Sequence, residues 1–133
     1  MHNAQLLRQG QWSKIDVENV AEELESMGRS EKRELVSRLA VLQAHLLKWA
    51  YQPDKRSKSW KYTIKEQRQQ VLEVLQDSPS LKYQLEEQLA RAYQAALVIV
   101  LKETPLDEDD LPLTGPFSLS QVLDATFYPE AKL

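Results

Sequence analysis

The chain has 133 residues, contains no cysteine and carries a formal net charge of −3 at pH 7. This length predicts a single domain over residues 1–133 that needs no disulfide or metal to fold, and the absence of cysteine excludes a thiolate zinc site and a cysteine nucleophile. The N-terminal residues show no signal-peptide pattern, and the longest apolar run, residues 95–101, is far shorter than the roughly 20 residues of a membrane span. We therefore expect a cytoplasmic protein without a membrane segment.

The first half of the chain predicts two long helices. Only three glycines occur in the sequence, and helix-forming residues dominate it. A short helical segment ends at Gly10; the first main helix then begins near Asp16 and ends at Gly28. The second main helix begins at Ser30 and runs to about Gln52, where Pro53 stops it.

The second half predicts two further main helices and a short one. The third main helix runs from about Trp60 to Gln76, and the fourth begins at residues 77–79, where Pro79 occupies the first helical position, and ends near Glu103. An acidic loop with prolines follows, and residues 118–127 predict a short C-terminal helix. Apolar residues recur at helical spacing in each main helix, and no strand alternation is present. We therefore predict an all-α fold, a helical bundle of four main helices plus a short C-terminal helix.

Polar residues interrupt two of the predicted apolar faces. Gln67 projects into the buried stripe of the third helix with Arg68 at the edge of that stripe, and His45 lies beside Trp49 on the second helix. A buried amide without a hydrogen-bond partner costs about 1–3 kcal/mol. Two interpretations are open: a satisfied polar network that sets the helix register, or a small polar pocket between Trp49 and Trp60.

Residues 48–68 form a basic segment in an otherwise acidic protein, with seven basic and two acidic side chains. Tyr51, Trp60 and Tyr62 lie among the basic residues, and this composition suits phosphate contact and base stacking. In the alternative interpretation the acidic C-terminal part of the chain folds back on the segment, and its charges are simply paired or solvated.

The sequence contains no recognisable catalytic or metal-binding motif, such as a glycine-rich phosphate loop or a zinc-protease helix. A carboxylate metal site in a helical bundle needs a glutamate three residues before a histidine, and Leu42 occupies that position relative to His45. We therefore assign no metal and no cofactor. A hydrolytic enzyme that uses His45 as a general acid or base is one open alternative.

Five segments of the chain occur in the order and spacing of a known family; they are LLRQGQW, IDVENVAEELESMGRSEKREL, HLLKWAYQPDKRSKSWKYTIKEQR, DSPSLK and LDATFYPE. Over nearly its whole length the chain resembles domain-of-unknown-function family twenty-nine, which is found widely in cyanobacteria and some proteobacteria. The resemblance implies an all-helical protein of the bacterial cytoplasm in a mainly cyanobacterial family, and that family has no established activity. The N-terminal helix is expected to be short relative to the family, because few residues precede Leu6.

The expected function is that of a non-catalytic helical binding or interaction module that forms a homo-oligomer or binds a protein partner. The alternatives are nucleic-acid or anionic-ligand binding through residues 48–68 and hydrolysis with His45. The candidate ligand-binding residues are His45, Lys48, Trp49, Gln52, Arg56, Trp60, Gln67 and Arg68.

Overall fold

The computed structural model describes the backbone of residues 14–132 and the side chains of residues 29–132. Within these residues the chain is all-helical and has no strand. The α-helices are α1 (Lys14–Tyr51), α2 (Lys58–Asp77), α3 (Leu85–Glu103) and α4 (Leu119–Leu123). Three 3₁₀ turns lie between them, at Pro53–Lys55, Pro79–Gln84 and Glu108–Asp110. None of the helices in the described part is long and apolar enough to cross a membrane.

The predicted helix boundary at Gly28 is wrong. Helix α1 continues through Gly28 and Ser30, so the described residues form three long helices and one short one instead of four main helices and one short one. A single glycine inside a helix costs only about 1 kcal/mol relative to alanine, and the helix-forming residues on both sides outweigh that cost. The helical segment predicted before Gly10 lies outside the described residues.

The corner between α1 and α2 follows the local sequence signals. Pro53 cannot continue the helical hydrogen bonds, and α1 ends at Tyr51, close to the predicted end. Helix α2 begins at Lys58, because the Ser57 Oγ accepts a hydrogen bond from the backbone N–H of Trp60 at 3.1 Å. This end of the two helices builds the candidate site described below.

The start of the last long helix differs from the prediction. The residues after Pro79 form a 3₁₀ turn, and α3 begins only at Leu85. The Ser78 side chain, which precedes this turn, accepts no hydrogen bond from the backbone N–H groups of the turn. The Ser78 carbonyl accepts a hydrogen bond from the Leu81 N–H at 3.0 Å. The tight turn places Leu81 in the core, so packing stabilises it.

The chain divides into two compact units, residues 1–33 and residues 34–133. In the first, the structure describes the helical backbone from Lys14 onward. The second contains a hydrophobic core to which α1, α2, α3 and the C-terminal residues all contribute. Fully buried core side chains include Leu35, Leu39, Leu42, Leu46, Ile64, Val71, Ala96, Val100 and Val122. Their spacing on each helix agrees with the apolar stripes predicted from the sequence.

Residues 118–132, called the C-terminal segment below, begin with α4 and end against α1. Ser118 and Gln121 form a reciprocal capping box at the start of α4. The helix ends at Leu123 instead of extending to residue 127, because the Asp124 carboxylate accepts hydrogen bonds from the backbone and hydroxyl of Thr126. Beyond this turn the backbone N–H of Lys132 donates to the Ala50 carbonyl near the end of α1, at 2.7 Å.

Candidate functional site

An open groove of about 430 Å³ lies at the corner between α1 and α2. We call it the basic groove; it is lined by Trp49, Arg56, Ser57, Lys58, Lys61 and Tyr62. Three of these six side chains are cationic and none is acidic. The groove also contains the start of α2, whose first turn has no acidic residue to offset the positive end of the helix dipole. The electrostatic potential in the groove therefore favours an anion.

The wall formed by Trp49 is held in place from two sides. The Arg56 guanidinium lies over the Trp49 ring at 5.0 Å, and the Tyr128 ring packs against Trp49 at a centroid distance of 5.1 Å. Arg56 also donates from Nε to the Trp49 carbonyl at 2.8 Å and from Nη2 to the Pro129 carbonyl at 3.4 Å. These bonds use two of its five N–H donors and leave the others for a ligand. The C-terminal segment thus fixes one side of the basic groove.

Tyr62 supplies a second aromatic ring, which is about half exposed (53 %). The Lys58 ammonium lies 5.9 Å from the centroid of this ring. The groove therefore combines exposed cations with an accessible aromatic surface, as single-stranded nucleic-acid sites do.

Lys48 is used inside the protein and does not line the basic groove. The residue is 4 % exposed, and its Nζ donates to the Glu103 carboxylate at 2.9 Å. The same ammonium lies 5.7 Å from the ring centroid of Trp60, which is half-buried. This ion pair shows that the acidic part of the chain does fold back on the basic segment, but at Lys48. Neither this pair nor the exposed Glu34–Arg38 pair uses a cation of the groove.

Arg68 holds the C-terminal segment against α2. Its side chain is 3 % exposed; Nε donates to the Val122 carbonyl at 2.9 Å, and Nη2 donates to the carbonyls of Phe127 at 2.8 Å and Gln121 at 3.3 Å. The guanidinium also lies 5.6 Å from the centroid of the Tyr128 ring. Burial lowers the pKa of Arg68, and Tyr128 and Asp124 oppose that shift. Arg68 is thus an internal clamp, with only Nη1 left without a hydrogen-bond partner.

Gln67 is buried, and its Oε1 has no hydrogen-bond partner in the described part of the chain. Gln52, by contrast, donates to the neighbouring Tyr51 carbonyl at 3.1 Å. Among the described residues no hydrogen bond joins Gln67 to His45 or to Gln52, so the polar interruptions of the two helices do not form one network. The unpaired amide oxygen costs on the order of 1–3 kcal/mol.

His45 is anchored on its own helix. Its Nδ1 lies 2.9 Å from the Val41 carbonyl, which can only accept, so Nδ1 carries the proton of the neutral ring and Nε2 is the basic nitrogen. Burial lowers the pKa of His45, and the nearby Lys48 acts in the same direction; the Val41 hydrogen bond and Glu103 oppose the shift. The imidazole is therefore neutral at pH 7. No group of three His, Asp or Glu residues that could hold a metal occurs within residues 29–132.

Two of the eight residues proposed from the sequence, Trp49 and Arg56, line the basic groove. The structure places Lys48, Gln67 and Arg68 in the interior, and His45, Gln52 and Trp60 outside the lining of this groove. The other four lining residues were not proposed as candidates; they are Ser57, Lys58, Lys61 and Tyr62. A usable signal was present, since a serine N-cap followed by two lysines and no acidic residue marks a positively charged helix start.

The chain matches the model of a known protein family. The family model described as "Domain of unknown function DUF29" matches residues 1–128, which is nearly the whole chain. No curated protein and no solved structure gives a significant match. Because this match covers far more than half of the residues, the chain belongs to the DUF29 family.

Proposed function

We propose that this protein is a non-catalytic binding module and that its basic groove binds a nucleoside phosphate, either free or within single-stranded nucleic acid. The observation that carries the proposal is the lining of the groove, in which three cations and two aromatic rings occur without a carboxylate. No comparable observation favours the hydrolytic alternative, because His45 lines neither of the two grooves described in this protein.

The cations are arranged to receive a phosphate group. Arg56 keeps N–H donors beyond the two that bind carbonyls, and a guanidinium can bind phosphate oxygens in a bidentate manner. Lys58 and Lys61 are exposed, three residues apart in the first turns of α2, and therefore on neighbouring positions of the helix surface. The backbone N–H groups at the start of α2 add to the same positive potential.

The aromatic rings favour a base next to the phosphate. Trp49 is held by Arg56 and Tyr128, so its ring loses little freedom when a ligand binds. Tyr62 is exposed enough to stack on a base. Stacking of one base on an aromatic side chain contributes about 1–3 kcal/mol, which would give the groove a preference for nucleotides over inorganic phosphate.

Anisotropy titration of labelled single-stranded RNA and DNA, with free nucleotides and inorganic phosphate as competitors, tests the proposal at several salt concentrations. The Lys58→Gln/Lys61→Gln double variant should bind about tenfold or more weakly. The slope of log affinity against log salt concentration should become smaller by about 0.7 for each phosphate contact removed. Lys65→Gln is the matched control, since Lys65 is exposed on the same helix outside the groove. Affinity that does not depend on salt, or an equal loss in the control, would contradict the proposal.

A Tyr62→Ala variant separates stacking from charge. It should weaken binding of nucleotides and single strands and leave the competition by inorganic phosphate unchanged. If free nucleotides displace the labelled strand at concentrations similar to those of an unlabelled oligonucleotide, the groove is a nucleotide site. If an oligonucleotide competes at much lower concentrations than free nucleotides, the groove is a nucleic-acid site. Equal effects of Tyr62→Ala on all ligands would remove the base from the proposal.

We also propose that the helices form a bundle in a single domain and that the protein acts in the cyanobacterial cytoplasm, as a homo-oligomer or with a protein partner. Support for the bundle comes from the core shared by the three long helices within residues 34–132, and support for the cytoplasm comes from the lack of cysteine. Light scattering after size exclusion tests the oligomer, and a strictly monomeric protein that captures no partner would contradict this part of the proposal.

A further inference from the structure

A second groove, of about 230 Å³, lies between α3 and residues 114–119, with Gln43 of α1 at its base. We call it the Gln43 groove. Its volume is below the roughly 300–1,000 Å³ of pockets that hold drug-sized ligands, so a ligand would have to be small. None of the basic groove's lining residues takes part in it.

The Gln43 amide presents an unpaired acceptor to this groove. Gln43 is 1 % exposed, and its Nε2 donates to the Leu89 carbonyl at 3.2 Å. The Gln43 Oε1 faces Gly115 on the opposite wall of the groove, since a Cβ atom built on Gly115 would lie 3.5 Å from this oxygen. No residue in the described part of the chain donates a hydrogen bond to this oxygen. Unlike the Gln67 Oε1 and the Gln88 Oε1, which are buried without a partner, this oxygen is reached from the groove and can accept a hydrogen bond from a ligand that supplies a donor.

The surroundings of Oε1 favour a cation as that donor. No Lys or Arg lines the groove, and the Glu86 carboxylate is the single charged group in the lining. The rings of Tyr93 and Phe117 form aromatic walls, and aromatic faces attract ammonium groups. The Tyr93 hydroxyl donates to the Pro112 carbonyl at 2.6 Å, and burial raises the pKa of this group to about 12. It therefore stays neutral and has no proton to offer to an acceptor on the ligand.

We infer that the Gln43 groove is a binding site for a small organic ammonium compound with an apolar body. An N–H of the ammonium donates to the Gln43 Oε1, the charge lies between the Glu86 carboxylate and the Tyr93 ring, and the apolar body packs against Phe117. This site has the opposite charge preference from the basic groove and does not depend on the function proposed for it.

Gly115 offers a substitution that fills the groove without disturbing the fold. The added Cβ of Gly115→Ala would lie 3.5 Å from both the Gln43 Oε1 and the Tyr93 Cδ1, which is ordinary van der Waals contact. The backbone at Gly115 is not in the left-handed region, so alanine is tolerated there. The methyl group occupies the space in which the ammonium would contact Oε1.

Titration of the ¹⁵N-labelled protein with n-butylammonium, followed by amide chemical shifts, tests the inference. The Gln43 side-chain amide and the backbone amides of residues 114, 115 and 117–119 should shift at millimolar ligand, and neutral 1-butanol and anionic butyrate should leave them unchanged. Gly115→Ala should weaken binding about tenfold or more, because the methyl group removes a hydrogen bond from a charged donor. Glu86→Gln should weaken it about two- to fivefold, as expected for an exposed charge.

Glu87→Gln is the matched control, since Glu87 is an exposed neighbour that does not line the groove. Its affinity should equal that of the wild type. Absence of shifts in residues 114–119, an equal response to butyrate, or unchanged affinity in a folded Gly115→Ala variant would each overturn the inference.

Discussion

Replacing Arg68 by methionine should release the C-terminal segment from α2. The substitution keeps an apolar stem and removes the two short hydrogen bonds to Val122 and Phe127, at 2.9 and 2.8 Å, and the longer one to Gln121. Each bond from a charged donor contributes about 1.5–3 kcal/mol, so the two short bonds contribute about 3–6 kcal/mol. Part of this is offset, because the guanidinium is desolvated and its Nη1 has no partner. We expect the free energy of unfolding to fall by about 3 kcal/mol.

Urea denaturation followed by far-ultraviolet circular dichroism measures this loss. Arg38→Met is the control: Arg38 forms a 3.8 Å exposed pair with Glu34 one helical turn away, and its loss should change the free energy of unfolding by less than about 0.5 kcal/mol. Arg68→Lys keeps the charge but not the planar fork of donors, so its stability should lie between those of the wild type and Arg68→Met. Hydrogen exchange should accelerate first in residues 119–128, because Arg68 holds the carbonyls of that region.

A small effect would refute the reasoning. If the free energy of unfolding of Arg68→Met lies within about 1 kcal/mol of the wild-type value, hydrogen bonds from water replace those from Arg68 at little cost. The Arg68 hydrogen bonds then contribute little to stability. If the variant is destabilised but exchange in residues 119–128 is unchanged, the loss comes from packing within α2 and not from the C-terminal segment.

Two further predictions concern the ion pair and the histidine near the end of α1. Glu103→Ala should destabilise the protein by about 1–3 kcal/mol, because it leaves the buried Lys48 ammonium without its partner and without water. Lys48→Met should be close to neutral, because the remaining Glu103 carboxylate is about half exposed and can be hydrated. Equal losses in the two variants by urea denaturation would contradict this asymmetry. Burial lowers the pKa of His45 in the folded protein below its ordinary value of 6.5. As the pH drops from 6.5 through this lower pKa, the unfolded chain therefore binds more protons than the folded one. The free energy of unfolding should therefore fall as the pH drops below about 6.5, and His45→Gln should flatten this part of the profile measured between neutral and mildly acidic pH; parallel profiles would rule the explanation out.

The helical class and most helix ends follow from local signals. Pro53 ends α1 and Ser57 caps α2, and each effect acts within a few residues of the signal. The predicted boundary at Gly28 is wrong because glycine either ends a helix or is tolerated inside one, and the outcome depends on the surrounding residues. The predicted start of α3 is wrong because the packing of Leu81 favours a tight turn that the sequence pattern does not reveal.

The roles of the cationic residues could not be read from the sequence in the same way. Lys48, Arg56 and Arg68 all belong to one basic segment, yet one pairs with a carboxylate, one borders a groove and one holds backbone carbonyls. The carbonyls bound by Arg68 lie 53 to 59 residues further along the chain. Nothing in the pattern around residue 68 encodes partners at that separation.

The helical class, the apolar faces and the corner at Pro53 follow from local sequence signals, because capping, proline geometry and helical periodicity act over one or two turns. Which charges are available to a ligand depends on contacts between distant parts of the chain. The C-terminal segment packs against the end of α1 and the middle of α2; it accepts hydrogen bonds from Arg68 and supports Trp49 through Tyr128. The cations that this packing does not use, at the start of α2, remain exposed in the basic groove.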